Sequence, residues 1–428
     1  MIDIEIIRKT PELVKENIKK KFQDKKLPLV DEILSLDEKV RKLKIEGDTL
    51  RQQRNTISSE IGTLMREGKK DVAEENKKKV VEINNKLIDI EKEEEELSIK
   101  LKDDMMKIPN IIDPSVPIGK DDSENVEVQK FGDPVVPNYE IPYHADIMTK
   151  VGGLDKDSAG RTSGNGFYYL MGDIARLSSA MLSYARDYMI DKKFIYCIPP
   201  FMIRSDVVTG VMSFDEMDAM MYKIEGEDLY LIGTSEHSMI GKFIDNVLDK
   251  KDLPYTLTSY SPCFRKEAGS ARAEERGMIR GHQFNKIEMV QYAHPDHSKE
   301  AFEELVEKAS RLVEQLGLHF RVSKLAAGDC SASMARTYDV ELWIPSMGIY
   351  KECSSVSNAN DYQARRNNTR FRDGETGKPR FVHTLNGSGL ATSRLIPAIV
   401  EQFQNADGSV TIPEVLRKYM GGMEKITK

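Results

Sequence analysis

The stretch Ser261–Gln291, SPCFRKEAGSARAEERGMIRGHQFNKIEMVQ, contains two segments that alternate as β-strands do, CFRKE and FNKIEMVQ. A segment crowded with Gly, Ala, Arg and Glu joins them, which predicts a β-hairpin with a charged connection. Because residues i and i+2 share one face of a strand, Arg265 and Glu267 are expected to point the same way. Charged residues therefore stand where a fully buried hairpin would place apolar ones.

The return strand has two different faces. Phe284, Lys286 and Glu288 share one face, and Ile287 and Met289 share the other, which is apolar. A face that offers a guanidinium, carboxylates and an aromatic ring suits a flat, charged, hydrogen-bonding ligand such as a nucleotide. The alternative is a solvated hairpin with ordinary cross-strand ion pairs.

The composition limits the classes of protein to consider. A chain of 428 residues has room for two or three domains, and it contains no apolar run of 18 residues and no secretory leader, so a soluble protein without a membrane partner is expected. The four cysteines are far apart and lack CxxC spacing, which predicts a reducing, cytoplasmic location and no zinc site. The net charge of −7 does not exclude a nucleic-acid partner, because basic residues can cluster on one surface.

The first 106 residues are expected to be mostly helical. A short strand, Thr10 as cap and a basic helix from Pro11 are predicted first. Two runs of apolar residues spaced three and four apart then predict a coiled-coil hairpin over about residues 30–104, turning near Gly68. The first run is Ile33, Leu36, Val40, Leu43, Gly47, Leu50, Arg54, Ile57, Ile61 and Leu64, and the second is Ile83, Leu87, Ile90, Glu94, Leu97 and Leu101.

The coil permits two interpretations. It can serve as an oligomerisation coil or a spacer. It can also be a basic arm that grips a phosphate backbone, since its outer faces carry many cations. On the first helix these are Lys39, Arg41, Lys42, Lys44, Arg51 and Arg54.

Residues 107–128, rich in Pro, Asp, Ser and Asn, are predicted to be a linker to a second domain over 129–428. There, helices such as DIARLSSAMLSYARDYMI alternate with strand-like runs such as YTLTSY, KIEMVQ and YDVELWI. The runs lack strict βαβ order, and GxGxxG and GxxxxGK[ST] are missing, which disfavours Rossmann and P-loop sites. The fold class expected is α+β, with an antiparallel sheet flanked by helices.

Three segments carry a resemblance to a known family. FIYCIPP ends in Pro200, FRKE is followed by RGHQF, and GSGLATSR spans Gly387 to Arg394. Together they resemble the three signature motifs of class II aminoacyl-tRNA synthetases. The coiled-coil arm, YLIGTSEH, KECSS and TLNGSGLA narrow the resemblance to the seryl-tRNA synthetase family, and it covers essentially the whole chain.

The resemblance implies an ATP site. Arg265 is similar to the arginine that binds the α-phosphate and the serine carboxylate, and Arg280 to the arginine near the γ-phosphate. Adenine is implied to contact Glu267 and to lie between Phe284 and Arg394, with Glu352 and Ser355 as magnesium ligands. The full implied ATP set is Arg265, Lys266, Glu267, Arg280, Phe284, Glu352, Cys353, Ser354, Ser355 and Arg394, of which Arg265, Glu352 and Arg394 are implied to be catalytic.

The resemblance also implies an amino-acid site and partners. The implied serine-binding residues are Thr234, Ser235, Glu236, Arg265, Glu288, Thr384 and Ser388. ATP and Mg²⁺ would activate serine to seryl-adenylate, and serine would pass to the 3′ end of a serine tRNA whose long variable arm the coiled coil binds. A homodimer through Pro200 is implied, and a selenocysteine tRNA substrate is left open. The alternative, a class II-like amino-acid ligase acting on a carrier protein, would be expected to lack the arm and to use zinc.

Three residues depart from the family pattern. Lys193 stands where glycine is usual, Cys353 stands where an aliphatic residue is frequent, and Pro262 interrupts the first hairpin strand. None of these changes removes a group implied to contact the substrates. Pro262 requires an edge or bulge position in the sheet.

Overall fold

The computed structural model describes residues 1–134, 137–267, 277–374 and 377–428. The connection of the predicted hairpin falls largely in 268–276, outside the described residues. The chain forms two compact units. One contains residues 2–19 and 23–109, and the other contains residues 1, 20–22 and 110–428.

Helices build the N-terminal part of the chain. They are α1 (Ile4–Lys9), α2 (Pro11–Lys20), α3 (Leu27–Arg66) and α4 (Lys70–Lys107), with a 3-10 turn at Asp24–Lys26. The short strand predicted at the start is wrong, because Ile4–Lys9 is helical. The Asp3 side chain accepts a hydrogen bond from the Glu5 amide, and Glu5 pairs with Arg8 and Lys9 one turn later. A cap and i,i+3 and i,i+4 pairs favour a helix over a strand here.

Helices α3 and α4 form the predicted hairpin arm. Their cross-helix ion pairs run in opposite chain directions, with Arg51 paired to Glu91 at 2.9 Å and Lys44 to Glu94 at 3.7 Å. Gly68 makes the turn with φ +75°, a conformation that glycine adopts readily. With 40 residues, α3 extends over about 60 Å.

The apolar seam is confirmed, and the charge of the arm is more balanced than expected. Ile33, Leu36, Val40, Gly47 and Leu87 are buried, while the remaining seam positions are half-buried. Helix α3 carries seven acidic and seven basic residues. Four of the six cations predicted to bind nucleic acid pair with acids of the arm itself, namely Arg41, Lys42, Lys44 and Arg51.

The second unit contains the remaining elements. Its strands are β1 (Val126–Phe131), β2 (Leu154–Asp155), β3 (Tyr169–Leu170), β4 (Ile195–Cys197), β5 (Met202–Ile203), β6 (Tyr230–Leu231), β7 (Val247–Asp249), β8 (Tyr255–Phe264), β9 (Gln283–Ala293), β10 (Phe320–Lys324), β11 (Arg336–Ile344), β12 (Ile349–Asn358), β13 (Arg370–Arg372), β14 (Pro379–Phe381), β15 (His383–Ala391), β16 (Val410–Thr411) and β17 (Lys425–Ile426). Its helices are α5 (His144–Lys150), α6 (Lys156–Ser163), α7 (Gly172–Asp191), α8 (Ser205–Val211), α9 (Phe214–Met220), α10 (Ser235–Gly241), α11 (Ser298–Glu314), α12 (Tyr362–Asn367), α13 (Thr392–Gln402) and α14 (Glu414–Arg417). Within the described ranges, no helix is long and apolar enough to cross a membrane.

An eight-stranded sheet organises this unit, in the order β1-β10-β11-β12-β15-β9-β8-β4. All neighbouring pairs are antiparallel except β4 with β8, which confirms the antiparallel sheet predicted from the sequence. Strand β4 pairs only with Leu257–Ser259 of β8, so Pro262 lies beyond the paired segment on that side. Lys193, in the turn before β4, has φ +69°, which explains why glycine suits this position.

The predicted linker is partly structured. Strand β1 begins inside it, at Val126, and pairs with β10. The Asn110 side chain donates hydrogen bonds to the carbonyl oxygens of Ser333 and Ala359. The segment after Pro109 is therefore packed as part of the second unit.

Helices α7, α11 and α13 cover one face of the sheet. Their apolar side chains form a core with the inward-facing residues of the strands, including Ile287 and Met289 of β9. The alternation predicted for β9 is thus confirmed on its apolar face. Phe284, Lys286 and Glu288 are consequently directed to the opposite face.

Two β-bulges change the alternation in the strands next to β9. In β12, Glu352 pairs with Glu341 and Ser354 with Val340, so Cys353 is an extra residue. In β15, Ser388 pairs with Glu288 and Leu390 with Ile287, so Gly389 is extra. A bulge re-aims the side chains that flank it. Two residues that are three apart would lie on opposite faces of a regular strand. When a bulge lies between them, they can share one face, here the face that carries Glu288.

Candidate active site

A cavity lies along the ligand face of the β8–β9 hairpin. Its wall is formed by Arg265, Glu267, Ile279, Arg280, Gly281, Phe284, Lys286, Glu352, Cys353, Ser388, Ala391, Ser393 and Arg394. The Ser388 and Ala391 side chains both reach it because the bulge at Gly389 lies between them. The cavity therefore brings together residues from two of the three sequence motifs, and the segment ending in Pro200 is not part of its wall.

Arg265 occupies a central position in this cavity. It lies just past the end of β8, and its backbone amide donates to the carbonyl oxygen of His282. Its Nε donates to the carbonyl oxygen of Gly233 at 3.2 Å, and its guanidinium carbon is 5.3 Å from the centre of the Phe284 ring. Such a cation over an aromatic face marks a site that can accept a flat anionic ligand beside it.

The outer part of the cavity carries further charges. Arg280 approaches Glu267 with an Nη1–Oε2 distance of 3.4 Å. Arg394 lies in the first turn of α13, where burial lowers the pKa of its guanidinium and the nearby Glu352 carboxylate acts in the opposite direction. Arg265, Glu267, Arg280, Phe284 and Arg394, predicted together from the sequence, thus surround one space.

A mostly buried polar cluster borders the cavity at Lys286, and we call its residues Thr234, Glu236, Lys286 and Glu288 the inner pocket. Glu288 is 1% exposed, forms an ion pair with Lys286, and accepts a hydrogen bond from the Thr234 hydroxyl at 3.0 Å. Lys286 also lines the cavity, so it connects the cavity wall with this cluster. Two carboxylates and one ammonium group in a mostly buried pocket suit a small charged and polar ligand.

Glu236 differs from Glu288 in its partners. Its Oε1 accepts from the amide of Gln363 at 3.0 Å, and its Oε2 accepts from the amide of Asn386 at 2.9 Å. Burial, followed by the charge of Glu288, raises the pKa of Glu236 to about 7. Among the described residues, its side-chain partners are therefore neutral donors, whereas Glu288 holds a cation.

A second, polar cavity of about 460 Å³ lies next to the first and shares Arg280, Glu352 and Arg394 with it. Asp339, Ser355 and Glu352 line it, and the bulge at Cys353 allows the last two to share this face. Burial and the charge of Glu352 raise the pKa of Asp339 well above its usual value. Its Oδ1 has no hydrogen-bond partner among the residues that the structure describes.

Three residues of the implied sets turn elsewhere. The Lys266 ammonium donates to the carbonyl oxygen of Asp218 rather than lining either cavity. The Ser354 hydroxyl is buried against the carbonyl oxygen of Ser388. The Ser235 hydroxyl accepts from Ser259 at 2.6 Å in the interior.

Thr384 contacts the inner pocket indirectly. Its hydroxyl donates to Gln363 at 2.6 Å, and Gln363 in turn donates to Glu236.

Pro200 lies in a separate apolar groove of about 440 Å³, where its carbonyl oxygen accepts from Ser238. Three apolar side chains on or beside this groove are strongly exposed: Ile195 (48%), Ile198 (70%) and Met202 (49%).

The sequence interpretation missed four polar residues of these sites. Lys286 was placed on the ligand face by alternation but received no role, and Asn386 lies within the TLNGSGLA motif. Asp339 alternates with Glu341 in YDVELWI, a signal that the pattern did carry. Gln363 lies on the short helix α12, outside the quoted motifs, and no local pattern marks it.

The antiparallel sheet, the hairpin cavity and the arginine on α13 define a class II aminoacyl-tRNA synthetase. A family model described as the tRNA synthetase class II core domain (G, H, P, S and T) matches residues 221–403. A model described as the seryl-tRNA synthetase N-terminal domain matches residues 1–112.

Individual relatives are similar to this chain over its full length. The serine--tRNA ligase of Methanoregula boonei is 40% identical over 425 residues, covering 99% of this chain and 100% of its own. The crystal structure of seryl-tRNA synthetase from Pyrococcus horikoshii complexed with ATP is similar with a TM-score of 0.94 at 40% identity, covering 100% of this chain and 99% of its own. That of cytoplasmic serine-tRNA ligase from Naegleria fowleri in complex with AMP gives 0.88 at 30% identity, with the same coverage of both chains.

The chain belongs to the seryl-tRNA synthetase family. Its reaction is that of a serine--tRNA ligase: serine and ATP give seryl-adenylate and pyrophosphate, and serine then passes to tRNA. The comparisons decide against the alternative of a ligase that acts on a carrier protein.

Proposed function

We propose that the hairpin cavity binds ATP and that the inner pocket binds serine, with Arg265 between the two substrates. The observation that carries this assignment is the position of Arg265, which contacts the Phe284 ring and the carbonyl oxygen of Gly233 at the edge of the inner pocket. A guanidinium there can bind the α-phosphate of ATP and the carboxylate of serine at once, since it offers five donors in one plane.

In the ATP site, adenine stacks on Phe284 and is flanked by Arg394, while Glu267 contacts its edge. Arg280 lies near the γ-phosphate. The shared cavity wall supports this arrangement, because these side chains surround one space on the ligand face. Cys353 contributes the bulge that directs Glu352 into the cavity. Lys266 and Ser354 support the neighbouring backbone through their own hydrogen bonds.

In the serine site, Glu236 receives the ammonium group and Glu288 receives the hydroxyl. Glu288 already holds the Lys286 ammonium, whereas the described side chains that contact Glu236 are neutral amides, so no side-chain cation is already paired with Glu236. Thr234 and Ser388 complete the polar wall, and Thr384 acts through Gln363. A site built to bond a hydroxyl rejects alanine, because alanine would leave buried polar groups unpaired.

The residues around Glu352 fit a magnesium ion. Magnesium prefers oxygen ligands from one or two carboxylates together with substrate phosphates. Glu352 and Ser355 face one cavity, and the buried Oδ1 of Asp339, which has no described partner, lies on the same wall. When bound there, the ion would neutralise charge on the triphosphate. No group of three or more His, Cys, Asp or Glu side chains in the described ranges is arranged to hold a metal alone.

Catalysis by these residues depends on positioning and charge. The serine carboxylate, ionised at neutral pH, attacks the α-phosphorus, and the bond to the bridging oxygen of pyrophosphate breaks. No general base is needed for this step. Arg265 stabilises charge on the α-phosphoryl oxygens, and Arg280, near the γ-phosphate, stabilises charge on the departing pyrophosphate.

The partners of the enzyme follow from its other surfaces. The arm binds a serine tRNA with a long variable arm, and the apolar groove around Pro200 forms a homodimer contact. The exposed Ile198 and Met202 support the second proposal, since clustered exposed apolar side chains mark an interface. A cytoplasmic location remains a prediction, and the four free cysteines are consistent with it.

The experiment that tests the substrate sites is amino-acid-dependent ATP–pyrophosphate exchange with the full chain. Serine is expected to support exchange far better than alanine, glycine or threonine. The assignment of the inner pocket fails if Glu236→Gln or Glu288→Gln raises the KM for ATP and leaves the KM for serine unchanged.

A further inference from the structure

Gln363 joins two residues of the serine site. It lies at the start of α12 and is 1% exposed. Its Oε1 accepts the Thr384 hydroxyl at 2.6 Å, and its Nε2 donates to Oε1 of Glu236 at 3.0 Å. Because a hydroxyl donates to one end of the amide and a carboxylate accepts from the other, the orientation of the amide is fixed.

We propose that Gln363 is a positioning residue of the amino-acid site, which holds the Glu236 carboxylate in the orientation that receives the ammonium group of serine. This inference rests on the proposed role of Glu236 and extends it. Gln363 itself is not proposed to contact the substrate.

The hydrogen bonds around Glu236 support this role. Gln363 binds one carboxylate oxygen and Asn386 binds the other, so the plane of the carboxylate is fixed from two sides. Both donors are uncharged amides, which orient the carboxylate without neutralising it. A lysine in either position would have competed with the substrate ammonium for the same charge.

Helix α12 is itself firmly held. Arg366 donates to the carbonyl oxygen of Thr209 in α8 and to that of Met212 directly after α8. Gln363 is therefore attached to an element with its own anchors. A residue supported in this way can orient a functional group more accurately than one on an unanchored loop.

The electrostatics of the pocket give the contact a second effect. Burial and the Glu288 carboxylate raise the pKa of Glu236, while the Gln363 hydrogen bond and then the charges of Lys286 and Arg265 lower it. The resulting pKa is about 7. Removing the Gln363 hydrogen bond should therefore leave less of Glu236 ionised at neutral pH.

The test compares Gln363→Met with Gln402→Met in the full-length enzyme. Gln402 is also a mostly buried glutamine, and it bonds the carbonyl oxygens of His319 and Trp343 instead of the site. For Gln363→Met we expect the KM for serine to rise about 10- to 100-fold, because a hydrogen bond to a charged group is lost. The KM for ATP should stay within about twofold of its value in the unchanged enzyme. Gln402→Met should lower the melting temperature but leave both KM values unchanged.

The pH profile provides a readout that a purely structural role would not change. The midpoint of serine kcat/KM should move to higher pH in Gln363→Met and stay in place in Gln402→Met. Serine binding measured by calorimetry should weaken in parallel. If Gln363→Met does not fold, Gln363→Glu preserves the volume and should weaken serine binding most above neutral pH, where both carboxylates ionise.

Two outcomes separate this inference from the proposed function. If Glu236→Gln abolishes serine binding while Gln363→Met leaves the KM for serine and its pH midpoint unchanged, the positioning role is overturned and the serine site stands. If Glu236→Gln leaves serine binding unchanged, the proposed role of Glu236 fails, and the inference fails with it.

Discussion

At the scale of single residues, the two carboxylates of the inner pocket differ in whether a cation or neutral amides bind them. Glu288 is neutralised by Lys286, and Glu236 is held by two amides. Burial, and after it the like charge of Glu288, raises the pKa of Glu236. The difference makes pH a probe of which carboxylate binds the ammonium group.

The first prediction concerns this pH dependence. Glu236 has a pKa of about 7 and must be ionised to bind an ammonium group. Serine kcat/KM should therefore rise about tenfold per pH unit below 7 and level off above it, since this ratio reports the free enzyme. The KM for ATP should not follow this profile. The rise should disappear in Glu236→Gln, and a profile that persists in that variant would assign the titration to another group.

The second prediction concerns the Lys286–Glu288 ion pair. Glu288→Ala should lose serine activation, but it also leaves a buried ammonium without its partner, which costs about 3–5 kcal/mol of stability. The double variant Lys286→Met/Glu288→Gln removes both charges. We expect it to regain most of the unfolding free energy while serine activation stays low. Recovery of both properties would show that Glu288 serves the fold and not the substrate.

At the scale of elements, the bulges in β12 and β15 determine which side chains reach the site. If Cys353 were paired as in a regular strand, Glu352 and Ser355, three residues apart, would point to opposite faces of the sheet. Deletion of Cys353 leaves Glu352 and Ser355 two residues apart on one face but removes the bend and extra twist of the bulge. The third prediction is that this deletion reduces exchange activity by about 100-fold, because a displacement near 1 Å can cost that much. Cys353→Ala keeps the residue count and should retain activity; equal losses in the two variants would contradict the role of the bulge.

The same elements show what the sequence could and could not predict. Period-2 alternation correctly placed Phe284, Lys286 and Glu288 on one face, because β9 is regular throughout that segment. The heptad seam correctly predicted the arm for the same reason. Alternation fails at a bulge, however, and nothing in ECSS reveals that Cys353 is an extra residue.

Other features depend on contacts that are distant in the chain. Gln363 reaches Glu236 across 127 positions, so no local pattern could reveal it. The place of Lys266 in the FRKE motif predicted a contact with ATP, yet its ammonium group donates to the carbonyl oxygen of Asp218. The isoleucines of Ile4–Lys9 favour a strand, whereas the Asp3 cap and the ion pairs of Glu5 stabilise the helix that this segment forms.

At the scale of the whole molecule, the arm and the catalytic residues are separable in the sequence. Every residue proposed to bind ATP or serine lies in the unit that contains residues 110–428. The arm has its own apolar seam and its own ion pairs, so it does not require a second arm to be buried. Its balanced charge on α3 also means that net attraction alone does not explain tRNA binding.

The base of the arm limits where it can be shortened. Asp37 receives two hydrogen bonds from Arg8, and Val30, Ile33 and Val40 are buried. Truncation beyond Val40 avoids exposing these residues. Lys44 and Glu94 face each other across the two helices, so a short glycine loop can join them after removal of residues 45–93.

The last prediction is that this shortened enzyme remains a dimer, forms seryl-adenylate normally and charges tRNA poorly. The dimer should persist because its proposed contact is the apolar groove around Pro200, and adenylate formation because its residues are untouched. Sedimentation, exchange and aminoacylation on the same preparation measure the three properties. tRNA binding by the intact enzyme should weaken as salt rises, in proportion to the phosphate contacts made by arm cations that lack an acidic partner on the arm. A monomer with normal tRNA charging would show that the arm is an oligomerisation coil, and normal charging by a dimer would show that tRNA is held elsewhere.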